Sequence, residues 1–191
     1  MGEKAAHPER IATTHFWNPP HLMPLVEIVR SVLTAESVVD GLKALLETCG
    51  KVPVVVKKDR TGQLGNRMQM AMLREAVNII GEGIADVEDI ERAASLGFGL
   101  RMPVFGIFEH QDLVGRDAYN VLDYVARDLS NEARAPAFYR NLFETGRLGA
   151  VPGKGFHDWS KKDPAEVGGR RDHWLLEFLK GPFGRTIRPK A

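Results

Sequence analysis

Ala12-Thr13-Thr14-His15-Phe16-Trp17-Asn18-Pro19-Pro20-His21-Leu22-Met23-Pro24-Leu25-Val26-Glu27-Ile28-Val29-Arg30 is the stretch from which the fold can be read. Two apolar runs flank a hinge built from Asn18, Pro19, Pro20 and Pro24. The prolines lack an N–H donor and stop ladder pairing there. The first run predicts a strand over 8–16 that begins after Pro8. The second predicts a strand over 25–30, with Glu27 inside it. A carboxylate buried alone is costly, so Glu27 needs a cationic or hydrogen-bonding partner. If the hinge reverses the chain, the strands lie side by side and His15 becomes the natural candidate. An imidazole oriented by a carboxylate can act as a general base.

Downstream, Thr34 is expected to cap a helix over 35–48. Its apolar face would comprise Val38, Val39, Leu42, Leu45 and Leu46, and Gly50 would stop it. Val52 to Lys57 is rich in β-branched residues and predicts a third strand. The result is a strand–loop–strand–helix–strand unit with an open edge, the tail of a larger sheet. After the turn at 58–62 the pattern becomes helical. A long helix is expected over 64–80, ended by Gly81 and Gly83. Its apolar positions spread over more than one face, as in a helix covered by more than its own chain. Further helices are expected over 87–96, with Asp86 as cap, and over 107–114, 117–130 and 137–145. Gly97 to Gly106 is expected to be a loop. Residues 161–169 read as a polar, glycine-rich linker, 171–180 as a last amphipathic helix, and 181–191 as a loose basic tail. Phe156 and Trp159 are expected to pin the glycine-rich segment 146–160 to the core. The fold class is therefore an α/β remnant followed by a mainly α region.

The 191 residues suffice for one domain or one and a part. A net charge of +1 gives no general electrostatic reason to bind nucleic acid or membranes. One cysteine, Cys49, excludes an internal disulfide and is expected to be buried at a helix end. That usage suits a reducing, cytoplasmic setting, and a mitochondrial matrix equally. No apolar run approaches the length of a membrane span. His7, His21, His110 and His173 are scattered and read as structural or solvated, and no metal-ligand cluster is evident. No strand is followed by a complete Gly-x-Gly-x-x-Gly turn; Gly97-Phe98-Gly99 follows helical sequence and lacks the third glycine.

His-Phe-Trp-Asn-Pro-Pro at 15–20, followed by Leu25-Val26-Glu27, resembles the signature of the 3-hydroxyacyl-CoA dehydrogenase family. The likeness continues through Gly50-Lys51-Val52-Pro53, Lys58-Asp59, Gly62, Asn66-Arg67, Gly97-Phe98-Gly99-Leu100-Arg101 and Gly106-Ile107-Phe108-Glu109. Gly153-Lys154-Gly155-Phe156-His157 is similar to a late family segment, with His157 where a tyrosine is usual. The resemblance implies a Rossmann-type remnant over 1–58, whose N-terminal part is missing, beside a helical substrate and dimerisation domain over 59–160. A C-terminal helix and tail follow over 161–191. It further implies NAD as cofactor and oxidation of a 3-hydroxyl to a 3-keto group, as in fatty-acid β-oxidation. His15 would be the base and Glu27 its orienting partner. Asn66 would donate a hydrogen bond to the substrate carbonyl, and a homodimer would form through helix 64–80. Lys57, Lys58, Arg60 and Arg67 could meet a CoA substrate's phosphates.

One departure bears on the substrate. Thr61-Gly62-Gln63 stands where the family usually has Pro-Gly-Phe. Relatives acting on small hydroxy acids, such as gulonate or carnitine dehydrogenases, share the His–Glu pair. The chain by itself is expected to be inactive, as a fragment without the NAD phosphate turn. A stand-alone helical oligomerisation or binding module is the alternative of a different class.

Overall fold

The computed structural model describes residues 2, 4–104, 106–182 and 184. They divide into two compact units, residues 1–69 with 168–191, and residues 70–167.

In the first unit, β1 (Ala12–Phe16), β2 (Leu25–Arg30) and β3 (Val52–Val56) form a three-stranded sheet in the order β1-β2-β3. β1 and β2 are antiparallel, with His15 opposite Glu27. β2 and β3 are parallel, with Glu27 opposite Val54. Parallel pairing needs a crossover, and α1 (Glu36–Thr48) supplies it. Val26, Ile28, Val39 and Leu46 make the core, with Ala12, Leu42 and Val55 against it. Val26, Glu27, Ile28 and Val29 are all buried, as in a central strand covered on both faces. Lys51 Nζ secures the hinge by donating to the carbonyls of Pro20 (2.6 Å) and Met23 (3.0 Å).

Several local expectations change here. Pro8–Arg10 is a single 3-10 turn rather than strand, because proline's fixed φ favours a first helical position. The residue capping α1 is Ala35, without a side-chain cap bond. Thr34 instead turns inward: its Oγ1 donates to Ile11 O at 2.6 Å and accepts from Ser31 N at 3.0 Å. Leu45 is 58% exposed and leaves the expected apolar face. Cys49 is exposed rather than buried, because α1 ends there and Gly50 turns the chain at φ +71°.

The long helix α2 runs from Gly65 to Gly81. α3 (Val87–Arg92) starts at Asp86, whose side chain makes no cap bond. It leads into a π-helical turn over Ala93–Phe98, broken at Gly97, and a one-turn α4 (Gly99–Arg101). The expected loop is thus largely wound. α5 (Ile107–Val114) and α6 (Arg116–Val125) follow, then α7 (Ala137–Glu144). α6 stops short of its expected end, and beyond it Ser130 N donates to Glu75 Oε2 at 2.8 Å. The expected linker is helical: α8 spans Pro164–Lys180, and Asp163 Oδ1 accepts from Ala165 N at 2.8 Å at its start. That capping bond, with proline at the first position, outweighs the poor helix propensity of Gly168 and Gly169. The tail expectation falls largely on residues 183 and 185–191, outside the described residues.

In the second unit Phe156 lies against Phe138 and Tyr139, with ring centroids 6.4 and 5.1 Å away, which seats the 146–160 segment. His157 Nε2 meets Glu91 Oε1 at 2.8 Å. The buried Thr34 offers a test. Thr34→Val should cost about 1–3 kcal/mol in urea unfolding, because it strands the Ile11 carbonyl and the Ser31 N–H, whereas Thr34→Ser should cost well under half of that.

Candidate functional site

The antiparallel register puts His15 and Glu27 side by side, since directly opposed residues share a face. His15 Nδ1 lies 2.6 Å from Glu27 Oε2. The other oxygen, Oε1, accepts two backbone N–H bonds, from Leu64 and Gly65, each 2.9 Å. These donors belong to the entry of α2, where N–H groups have no partner within the helix and the helix dipole favours an anion. Glu27 thus has three donors and no exposed surface, while the His15 side chain keeps 31% of its own.

Burial alone pushes the Glu27 carboxyl upward. The bond from His15, then those from Gly65 and Leu64, outweigh burial and hold it below the ordinary carboxylate value. Trp17 Nε1 is buried and completes no hydrogen bond of normal geometry, yet it lies near enough to pull weakly the same way. A carboxylate can only accept, so Nδ1 is the donor of this pair, and Nε2 is the ring nitrogen not engaged by Glu27.

The chain conformation that delivers the two N–H groups is unusual. Gly62 has φ +82° and Gln63 φ +46°, both in the left-handed region. Gln63 is the non-glycine residue there, at the position where the sequence departs from the family pattern. Asn66 follows as the second residue of α2 and is half-buried.

Reading side chains alone misses Leu64 and Gly65, because their contribution is made by the backbone. A glycine in the first turn of a long helix is the signal that could have drawn attention to that turn. Among the described residues no group of three His, Cys, Asp or Glu side chains is arranged to hold a metal ion. No helix among them is long and apolar enough to cross a membrane.

Comparison with known proteins finds matches over both sections of the chain. Residues 62–159 match the 3-hydroxyacyl-CoA dehydrogenase C-terminal domain, and residues 1–60 match the NAD binding domain of the same family. The chain is 34% identical over 181 residues to the 5-formyl-3-hydroxy-2-methylpyridine 4-carboxylate 5-dehydrogenase of Mesorhizobium japonicum, covering 94% of this chain and 59% of that protein. It is 33% identical over 196 residues to the L-carnitine dehydrogenase of Streptomyces griseus, covering 98% and 56%. The crystal structure of a 5-formyl-3-hydroxy-2-methylpyridine 4-carboxylic acid 5-dehydrogenase superposes with a TM-score of 0.86 at 31% identity, over 92% of this chain and 58% of that one. The 3-hydroxyacyl-CoA dehydrogenase of Archaeoglobus fulgidus superposes with a TM-score of 0.60 at 33% identity, over 94% and 62%. The chain therefore spans somewhat more than half the length of these relatives. With both of its sections matched in order, the chain belongs to the 3-hydroxyacyl-CoA dehydrogenase family.

Proposed function

We propose that this chain carries the proton-transfer centre of an NAD-dependent oxidation of a hydroxyl to a keto group. The observation that carries the reading is the clamped pair: His15 Nδ1 against a Glu27 carboxylate held by two backbone donors. Nε2 of His15 takes the hydroxyl proton, and Glu27 fixes the tautomer and balances the charge the ring acquires. Asn66, at the start of α2, offers its carboxamide to the substrate carbonyl, where the helix dipole favours negative charge. NAD, when bound, supplies the hydride acceptor.

The turn between β2 and α1, residues 31–35, does not fit the cofactor's phosphates: it holds no glycine, and the N–H groups of Ser31, Leu33 and Ala35 are already used, donating to Thr34 Oγ1, Ser31 Oγ and Glu9 O. The proton step is what this chain's own residues perform.

Two substrate classes use this chemistry. An acyl-CoA is supported by the exposed Lys57, Lys58, Arg60 and Arg67. A small hydroxy acid is supported by polar Gln63 beside the Glu27 donors, and by the L-carnitine dehydrogenases among the relatives. We favour the small hydroxy acid. A reducing compartment such as the cytoplasm suits a chain whose cysteine, Cys49, is free and exposed.

A homodimer through helix 64–80 accounts for apolar surface that the chain leaves open. Leu64, Met68, Met70 and Met72 are each about half exposed. α5 and α6 have no buried residue.

Glu27→Gln keeps the shape but places an amide N–H₂ against Nδ1, or turns it toward the two backbone donors. Assayed with a hydroxy acid and NAD in a protein that joins this chain to a dinucleotide-binding segment, the variant's kcat should fall by about 10²–10⁴; turnover within a factor of two of the unsubstituted protein would remove Glu27 from the mechanism. The same variant tests the linkage. The Glu27 carboxyl is held low in the fold, so its contribution to stability is present above the unfolded value of about 4.3 and lost as pH falls through the folded value. The stability gap between wild type and Glu27→Gln should therefore be largest near neutrality and narrow below pH 4, measured by urea melts across pH. For the dimer, light scattering should give twice the 21.2 kDa chain mass. Met68→Glu with Met72→Glu should return it to one chain, and a wild-type monomer would end that part of the proposal.

A further inference from the structure

Trp17 and Gly65 make a contact that the clamp itself does not explain. Residues 15 and 17 are two apart at the end of β1, so their side chains share a face. The rings of His15 and Trp17 lie 6.0 Å apart at an angle of 52°. The indole also runs over Gly65, where a built Cβ would come within 2.1 Å of Trp17 Cζ2 and 2.9 Å of Cη2. Real Cβ atoms do not approach that closely, and the atoms met belong to a stiff ring that cannot fold aside. Gly65 is not among the glycines with positive φ, so its backbone would accept any residue. Glycine is also a poor residue for the first turn of a long helix. What requires glycine at position 65 is the indole.

We propose that Trp17 and Gly65 form an interlocking pair that sets the plane of the His15 imidazole against Glu27. The indole is wedged between the His15 ring and the start of α2, and Gly65 supplies both the space for it and an N–H to Glu27 Oε1. One residue pair thereby couples the ring of the base to the donors that hold its carboxylate. Trp17 and Gly65 are positioning residues: they act on His15 and Glu27 rather than on substrate. The inference rests on the reading of His15 as the base.

The alternative to this pair predicts the opposite sign. If Gly65 were an ordinary helix glycine, Gly65→Ala would raise the melting temperature. The interlock predicts that it lowers it, that Trp17→Phe alone has a smaller effect, and that Trp17→Phe with Gly65→Ala recovers what Gly65→Ala lost. The site-specific readout is long-range ¹H–¹⁵N NMR of the histidine side chains, with His15 assigned by His15→Gln. Wild type should show the proton on Nδ1 of His15. Gly65→Ala should weaken or remove that signature, and the double variant should restore it. In turnover by a protein that joins this chain to a dinucleotide-binding segment, Gly65→Ala should lower kcat about 100-fold, as expected for a reacting group displaced by about 1 Å, with a smaller change in KM.

A wild-type His15 without the Nδ1 proton would sink the base reading and this inference with it. A wild-type signature that survives unchanged in Gly65→Ala would overturn the interlock alone. Additive losses in the double variant would do the same. If Gly65→Ala fails to fold, the double variant must fold, and its failure as well would count against the pair.

Discussion

A carboxylate in the middle of a buried strand is the constraint around which the first unit is organised. Glu27 lies between Val26 and Ile28 with no surface of its own, and an unpaired charge there would cost several kcal/mol. The chain resolves this with three donors from two directions. His15 comes across the sheet, and Leu64 and Gly65 come from the beginning of α2. The same bonds that make burial tolerable fix the position of the helix start relative to the strand and the orientation of the imidazole. Fold and chemistry therefore share one set of hydrogen bonds, and a change in either is felt in the other.

The second unit is built on a different balance. Val77 and Leu142 are buried in it, while Phe108, Leu113, Tyr119, Leu122 and Tyr124 stand well exposed. Helices need an apolar stripe covered by something, because propensity alone leaves short helices marginal. α5 and α6 carry such stripes without burying a residue. The first unit, in contrast, closes its own small core between α1 and the sheet.

Much of the site was legible in the residues themselves. A strand, a proline hinge and a second strand with an internal glutamate imply a reversal, and a buried acid implies a partner. Both inferences hold because proline's missing N–H and the cost of desolvation do not depend on context. What was not legible is what depends on context. The donors of Leu64 and Gly65 are backbone groups with no signature in residue type. Thr34 carries the right hydroxyl for a helix cap but spends it on Ile11 O, because the chain at residue 11 passes within reach. Two consecutive glycines suggested a linker, yet a capped helix continues through them. Cys49, expected inside, lies exposed at a helix end.

The amino-acid sequence by itself determined the order of strands and helices, the candidate base with its acid, and the family, because these follow from local periodicity, proline and glycine placement, and motif order. Tertiary structure decided which backbone groups hold the acid, why position 65 has no side chain, and which apolar surfaces are left uncovered. Each of those depends on distances between segments far apart in the chain, and no local pattern encodes such a distance.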